Sequence, residues 1–188
     1  MAHINGFNHV VLVTSDMDKT VRFYRDVLGL KVKATQGAGS PTQGVLAQRP
    51  AGLDDFKRLY FFELSNGDCL AFVEFPGKDT RPEPSYFSHI WPGDAQTAGP
   101  TRKLDHLALN VDSRDDLVAY QERLRAHEVP VSEIQELKGA ICVKSIYCYD
   151  PNGIALEIST WDLGDPWWNE RTEEAFFADL DPVPALQE

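Results

Sequence analysis

Two histidines and two glutamates stand at matching places in two similar stretches of the sequence. His9 and His106 each open a β-rich run, and Glu74 and Glu157 each lie in a later apolar run. A lone carboxylate is costly to bury, so a glutamate in an apolar strand calls for a partner. Two imidazoles and one or two carboxylates suit a divalent first-row metal that keeps open coordination positions. The pattern predicts a metal site of His9, His106 and Glu157, with Glu74 as a further candidate ligand.

These four side chains can converge if the two stretches are copies of one structural unit. The stretches FNHVVLVTSDMDKTVRFYRDVLGLKV and LDHLALNVDSRDDLVAYQERLRAHEVPV both indicate a strand, a polar cap and an amphipathic helix. Three strand-like runs follow each helix, with turn sequences at 65–68 and 150–153. Each copy is therefore predicted to be a βαβββ module. Two modules should pack together, because one alone would leave a sheet face bare.

The boundaries follow from this repeat. The chain is predicted to be one domain over 1–188, made of a first module (5–75), a connector (76–103), a second module (104–161) and a C-terminal extension (162–188). A long loop is expected over 36–56 and a short helix around 170–178. The predicted strands after the helices are 30–35, 58–64, 68–75, 130–137, 142–149 and 154–161.

Three segments of the sequence resemble the vicinal oxygen chelate superfamily. They are NHVVLVTSDMDKTVRFYRDVLGL, DHLALNVDS and YDPNGIALEIS, and the resemblance covers about residues 5–161. The superfamily contains glyoxalase I, extradiol ring-cleaving dioxygenases, methylmalonyl-CoA epimerases, and the fosfomycin and bleomycin resistance proteins. The resemblance implies an α+β fold in which two paired βαβββ modules form a cupped mixed sheet around one metal site.

One segment is more specific within that superfamily. IYCYDPNGIALE resembles the second half of the extradiol dioxygenase signature, in which a tyrosine stands ten residues before the glutamate ligand, as Tyr147 does before Glu157. In size the chain resembles the small one-domain dioxygenases. The resemblance implies Fe(II) on His9, His106 and Glu157, with Mn, Ni or Zn as alternative metals. It also implies a catechol-like diol that is hydrogen-bonded by Tyr147 and opened by dioxygen.

The first half of the signature is not matched. It contains an acid/base histidine, and Lys138 stands in that place. A lysine can donate a proton or neutralise an oxyanion when burial lowers its pKa, so Lys138 is a candidate catalytic residue. His89, in YFSHIWPG on the connector, is another candidate if the connector folds over the site. The structural alternative for both is an exposed loop side chain.

Two other functions within the superfamily stay open from the sequence. A His/Glu/His/Glu set that includes Glu74 resembles glyoxalase I, in which one glutamate acts as a base. Against that alternative, the sequence shows no obvious basic pocket for a glutathione carboxylate. The drug-binding members are acidic and use the fold without a metal. The net charge suits them, whereas two histidines and two glutamates at ligand positions do not.

Composition limits the partners. Lys plus Arg is 18 and Asp plus Glu is 29, a net charge of −11, which repels polyphosphate and argues against nucleic-acid binding. No apolar run approaches the roughly 20 residues that span a bilayer, and the start MAHINGFNHV lacks a secretory signal pattern. Three cysteines without CxxC spacing favour reduced thiols. We expect a cytoplasmic homo-oligomer whose partners are a small aromatic substrate and dioxygen, with no nucleic acid and no membrane.

Overall fold

The computed structural model describes residues 6–37, 57–83, 85, 90–92, 104–138, 142–170, 172 and 186. Within them the chain forms two similar modules with one four-stranded mixed sheet each, which confirms the predicted α+β fold and the βαβββ repeat. The first module contains β1 (His9–Thr14), α1 (Met17–Val21), β2 (Lys31–Gly37), β3 (Arg58–Glu63) and β4 (Cys69–Glu74). The second contains β5 (Leu107–Asn110), α2 (Arg114–Ala126), β6 (Gln135–Lys138), β7 (Cys142–Tyr149) and β8 (Ala155–Thr160), and α3 (Pro166–Asn169) follows it.

Both sheets have the same strand order, with the first strand of the module at one edge. The orders are β1-β4-β3-β2 and β5-β8-β7-β6. The first and last strands of each module are parallel neighbours, whereas the other pairs are antiparallel. This topology places β1, which begins at His9, beside β4, and β5, which begins directly after His106, beside β8.

Side-chain caps and a glycine define the helices. The Asp16 carboxylate accepts a hydrogen bond from the backbone N–H of Lys19, and Ser113 caps α2 in the same way. Helix α1 continues as a π-helical segment over Arg22–Val27. Gly29 follows with φ of +78°, a left-handed conformation that ends the helix.

One apolar core joins the two modules. In this core, α1 with its π-helical continuation and α2 pack against one side of the two sheets. The other side of each sheet faces away from the core. On β1 that other side carries His9, Val11 and Val13, which are exposed. The largest buried core side chains are Tyr24, Phe62, Phe72, Leu28, Leu70, Leu117, Leu124, Ile146, Leu156 and Ile158.

A buried polar network also connects the modules. The Thr14 hydroxyl donates to Asn152 Oδ1 at 2.6 Å, and Asn152 Nδ2 donates to Thr20 Oγ1 at 3.2 Å. The Tyr24 hydroxyl donates to the Asp150 carboxylate at 3.1 Å. Burial raises the pKa of Asp150, and the hydrogen bonds it accepts oppose that rise. The turn between β7 and β8 is therefore anchored to β1 and to the first helical segment.

The C-terminal extension differs from its prediction. The structure has a short helix at Pro166–Asn169, whereas most of the predicted helix at 170–178 lies outside the described residues. The buried ammonium of Lys144, on β7, forms ion pairs with Asp162 and Asp165. Although burial opposes it, these two carboxylates raise the pKa of Lys144. Among the described helices, none is long and apolar enough to cross a membrane.

Candidate active site

His106 and Glu157 form the centre of the candidate site. His106 immediately precedes β5, and Glu157 lies on β8, which runs parallel to β5. The two side chains meet, with His106 Nε2 2.8 Å from Glu157 Oε2. Because neighbouring residues of a strand point to opposite faces, Glu157 faces away from the core that buries Leu156 and Ile158. The structure thus brings together two of the predicted ligands, and their joint binding of a metal stays a prediction.

Outer partners hold both side chains in place. Asp105 Oδ2 lies 2.6 Å from His106 Nδ1 and accepts from the Ser85 hydroxyl at 2.7 Å. The Ser145 hydroxyl donates to Glu157 Oε1. Hydrogen bonds of this kind fix the imidazole tautomer and the carboxylate orientation in metal centres, and they leave the remaining ligand atoms free to coordinate. Sequence reasoning did not identify Asp105 or Ser145, although Asp105 directly precedes the histidine.

The charges of the pair fit a site for a divalent cation. The hydrogen bond to Glu157, followed by that to Asp105, raises the pKa of His106 to about 9. Burial alone would raise the pKa of Glu157, but the hydrogen bonds from His106 and Ser145 outweigh it and lower that pKa. At neutral pH the pair is thus an imidazolium and a carboxylate. Metal ligation requires the neutral imidazole, so a bound cation would replace the proton on Nε2.

His9 repeats the local arrangement of His106. His9 Nδ1 lies 2.6 Å from Asn8 Oδ1, just as His106 Nδ1 lies 2.6 Å from the carboxylate of Asp105. In both modules the preceding residue accepts from Nδ1, which leaves Nε2 as the nitrogen that can bind a metal. An acceptor directly before each histidine, Asn8 before His9 and Asp105 before His106, is thus a further sequence signal that the two histidines have equivalent roles.

The structure does not gather the full predicted ligand set. In the part of the chain that is described, no three His, Cys, Asp or Glu side chains form a group that could hold a metal ion. His9 is exposed, and its ring meets Phe61 edge-on at 5.6 Å between centroids. The structure therefore brings together His106 and Glu157, and the ligand role of His9 stays a prediction.

Glu74 points away from this site. It lies opposite Thr14 in the sheet and shares the core face of β4 with Phe72. Its carboxylate accepts from the backbone N–H of Met17 at 3.0 Å and forms an ion pair with Arg58. The expectation that Glu74 joins the histidines is wrong, because the pleat of β4 directs its side chain to the face opposite His9.

Ala71 occupies the position that corresponds to Glu157. It is the fourth residue after Gly67, as Glu157 is the fourth after Gly153 at the equivalent turn. The strand pairing agrees, because His9 lies beside Cys69 just as the β5–β8 register places His106 beside Ala155. The first module therefore contributes no carboxylate at the position where the second contributes one.

Of the two candidates for proton transfer, Lys138 is among the described residues, and it lies away from the site. Lys138 pairs with Cys142 at the sheet edge, on the face opposite Tyr147, and its Nζ lies 3.5 Å from Glu136. Alternation along the strand directs Lys138 to the face away from Tyr147 and Glu157, and its role as the acid/base group stays a prediction. His89 lies outside the described residues, so its role stays a prediction.

Tyr147 lies where the predicted site needs it. It is directly opposite Glu157 in the antiparallel β7–β8 pair, and it is buried. Burial, and then the charge of Glu157, raise the pKa of Tyr147. The phenol therefore keeps its proton at neutral pH and can donate a hydrogen bond to a negatively charged ligand oxygen.

Trp91 is the main residue that sequence reasoning missed. It comes from the connector, is 3% exposed, and lies 4.5 Å from Tyr147 and 5.4 Å from His106 between ring centroids. Together with Ala155 and Tyr149 it forms a small apolar cluster separate from the main core. A single tryptophan in a Pro-rich connector has no periodic pattern, so only the folded chain shows that it covers the site.

Comparison with known proteins agrees with this geometry. The family model for the Glyoxalase/Bleomycin resistance protein/Dioxygenase superfamily matches residues 6–158. No curated protein matches the chain significantly.

Many solved structures match the chain. A glyoxylase/bleomycin resistance protein/dioxygenase domain from Frankia sp. EAN1pec is 25% identical with a TM-score of 0.56, and the match covers 84% of this chain and 98% of that one. Lactoylglutathione lyase from Agrobacterium tumefaciens is 21% identical with a TM-score of 0.51, covering 86% and 98%. A mutant of the fosfomycin resistance protein FosX from Listeria monocytogenes, complexed with Mn(II) and 1S,2S-dihydroxypropylphosphonic acid, is 20% identical with a TM-score of 0.52, covering 83% and 92%. The last two likenesses concern the fold alone.

Proposed function

The chain belongs to the glyoxalase/bleomycin resistance protein/dioxygenase superfamily, and we propose that it is a metal-dependent enzyme that cleaves the ring of a catechol-like aromatic diol. The observation that carries the proposal is the position of Tyr147. This phenol lies opposite Glu157, which pairs with His106, and Trp91 packs against Tyr147. An aromatic wall beside a metal-binding pair suits a flat, oxygen-bearing ring.

The donor set favours three ligands rather than four. His9, His106 and Glu157 would hold the metal, and Ala71 supplies no carboxylate at the fourth position. A glyoxalase-type isomerase with a His/Glu/His/Glu set is disfavoured for that reason. Fe(II), if held by His9, His106 and Glu157, would bring the chemistry that activates a diol and dioxygen together.

The residues of the chain position the substrate. The Tyr147 hydroxyl donates a hydrogen bond to a diol oxygen, and Trp91 shields the ring from water. Asp105 and Ser145 keep the His106 and Glu157 side chains oriented. Proton transfer is assigned to His89, since Lys138 faces the other side of the sheet. The overall reaction would break the ring carbon–carbon bond next to the diol and the O–O bond, and each of the two carbons would receive one oxygen atom of dioxygen, which is the oxidant.

An assay for ring cleavage tests the proposal. Protein loaded with Fe(II) is mixed in air with catechol, 3-substituted catechols and biphenyl diols, and the conjugated yellow product is followed by absorbance. A hydrogen bond to a charged group contributes roughly 1.5–3 kcal/mol, so Tyr147→Phe should slow turnover by about 10- to 150-fold without loss of iron.

Tyr120→Phe is the matched control for this assay. The Tyr120 hydroxyl donates to the backbone oxygen of Leu28, between the modules and away from the metal-binding pair. We expect that variant to keep its turnover number. If iron-saturated protein forms no yellow product from any of the diols, the dioxygenase proposal is wrong, and isomerisation of a hemithioacetal becomes the reaction to assay.

A further inference from the structure

Two polar atoms beside the candidate site are buried without a hydrogen-bond partner. They are the indole Nε1 of Trp91 and the hydroxyl oxygen of Tyr149. Among the described residues, no other buried side-chain nitrogen or oxygen lacks a partner. Buried polar groups in folded proteins are almost always paired. An exception therefore calls for a ligand or an ordered water that completes it.

Both atoms belong to the wall that faces His106 and Glu157. Tyr149 follows Tyr147 by two residues, so the two phenols share one face of β7, and Tyr149 lies opposite Ala155. Trp91 packs on the same small cluster. The two side chains that carry these atoms thus lie in the aromatic cluster that borders His106.

The chemistry of the two groups defines their missing partner. An indole N–H only donates, so the partner of Trp91 must be an acceptor, and a phenol can donate to the same atom. Burial, and then the charge of Asp105, raise the pKa of Tyr149, so its proton is retained. Asp105 and Glu157 make the surroundings negative, which disfavours a carboxylate in this place. A neutral oxygen meets all these conditions.

We propose that Trp91 and Tyr149 form a recognition subsite for a neutral oxygen substituent, such as a carbonyl or an alkoxy group, on the aromatic ligand. The inference rests on the proposed function in that it takes the ligand to be an aromatic ring beside His106 and Glu157. The substrate is then an oxygen-substituted diol rather than an alkyl-substituted one. Because both atoms are shielded from solvent, the proposal requires the Trp91 ring to shift when the ligand enters.

Binding under nitrogen tests the subsite without turnover. The protein, with and without Mn(II), is titrated by calorimetry with 3-methoxycatechol and 3-ethylcatechol, which match in size and differ by one oxygen. One neutral hydrogen bond corresponds to about a 2- to 10-fold preference for the methoxy compound. Trp91→Phe and Tyr149→Phe should each reduce that preference towards unity. Trp161→Phe, at a half-exposed position, is the control and should keep it.

Thermal melting separates this role from a structural one. Tyr149→Phe removes only a hydroxyl that has no partner, so its melting temperature should stay or rise. Trp91→Phe also deletes part of a buried ring, so its effect is judged by the ligand preference and not by melting. Tyr120→Phe removes a real hydrogen bond to Leu28 and should lower the melting temperature. Equal affinities for the two ligands in the wild type, or a preference that survives both substitutions, would overturn the subsite. A preference for the methoxy compound without ring cleavage in air would support the subsite and reject the proposed reaction.

Discussion

At the scale of single residues, the site depends on how each imidazole is held. Asn8 and Asp105 each accept from the Nδ1 of the histidine that follows them, so both rings present Nε2. In the second module Nε2 meets Glu157, which stabilises the charged imidazole. The free energy of unfolding of the metal-free protein must therefore depend on pH through His106.

The first prediction concerns that pH dependence. The pKa of His106 is about 9 in the folded protein and near the ordinary histidine value of 6.5 in the unfolded chain. A raised folded pKa means that the stabilisation is complete below about 6.5 and is lost as the pH rises through about 9. Urea unfolding of the metal-free protein should show the midpoint falling between pH 6.5 and 9.5. His106→Gln should abolish most of that fall, and an equal fall in the variant would contradict the assignment.

The second prediction concerns Glu74, whose carboxylate serves the fold. It accepts from the Met17 N–H and pairs with Arg58 inside the first module. Glu74→Gln weakens both contacts and should lower the free energy of unfolding by about 1–3 kcal/mol. Metal content, measured by elemental analysis, should stay at the wild-type value. Loss of metal from this variant, without loss of fold, would restore Glu74 as a ligand.

Single residues also show what the sequence could and could not predict. Glu157 and Tyr147 lie opposite each other across the turn that the sequence predicted, and their roles as ligand and hydrogen-bond donor stay predictions. Counting four residues from the glycine of each turn reaches Ala71 and Glu157, so the sequence already contained the evidence against Glu74. The position of Trp91 depends on how the connector crosses the second sheet, and no local pattern encodes that path.

At the scale of elements, the β-turns before β4 and β8 occupy equivalent positions in the two modules and both contain Asn-Gly, but their surroundings differ. Gly67 and Gly153 both have positive φ, at +91° and +78°. A Cβ on Gly67 would meet no atom within 4 Å, whereas a Cβ on Gly153 would lie 2.4 Å from the backbone oxygen of Arg81. The N–H of Glu83 also donates to the carbonyl of Gly153 at 2.9 Å. The second turn thus anchors the start of the connector.

The third prediction uses these turns as a matched pair. Gly67→Ala should cost about 1–2 kcal/mol, which is the strain of a left-handed conformation for alanine. Gly153→Ala carries the same strain together with the clash at Arg81, which adds about 1–3 kcal/mol. Urea unfolding of the two variants measures the difference. Equal losses would mean that the connector does not pack on the second turn as described.

The elements themselves were largely predictable. Alternating and helical apolar patterns located the strands of both modules and the helices α1 and α2, and β7 has the predicted bounds, whereas α3 was not predicted at its observed position. The π-helical segment Arg22–Val27 was not predicted, because its apolar residues also fit the ordinary helical period. Strand β6 starts at Gln135 rather than at 130, after an isolated bridge between Val131 and Cys148.

At the scale of the whole molecule, function depends on the way the modules are joined. Their shared core and the network of Thr14, Asn152, Tyr24 and Asp150 tie the second module to the first. The proposed metal site draws His9 from one module and His106 with Glu157 from the other. Pairing of the modules was predicted, but the structure joins them through the core on the helix side and leaves the other face of β1 exposed. The approach of His9 to the other ligands depends on the angle between modules, which local sequence patterns do not determine.

Metal stoichiometry tests this account most directly. Metal-free protein is titrated anaerobically with Fe(II), and bound iron is measured for the wild type, His9→Ala, His106→Ala and Glu74→Gln. We predict one ion per chain in the wild type and in Glu74→Gln. Removing a residue that only hydrogen-bonds a metal ligand typically lowers metal affinity by roughly 10- to 100-fold. Each histidine variant removes a ligand itself, so its iron affinity should fall by more than that. Wild-type affinity in His9→Ala or in His106→Ala would contradict a metal centre shared between the two modules.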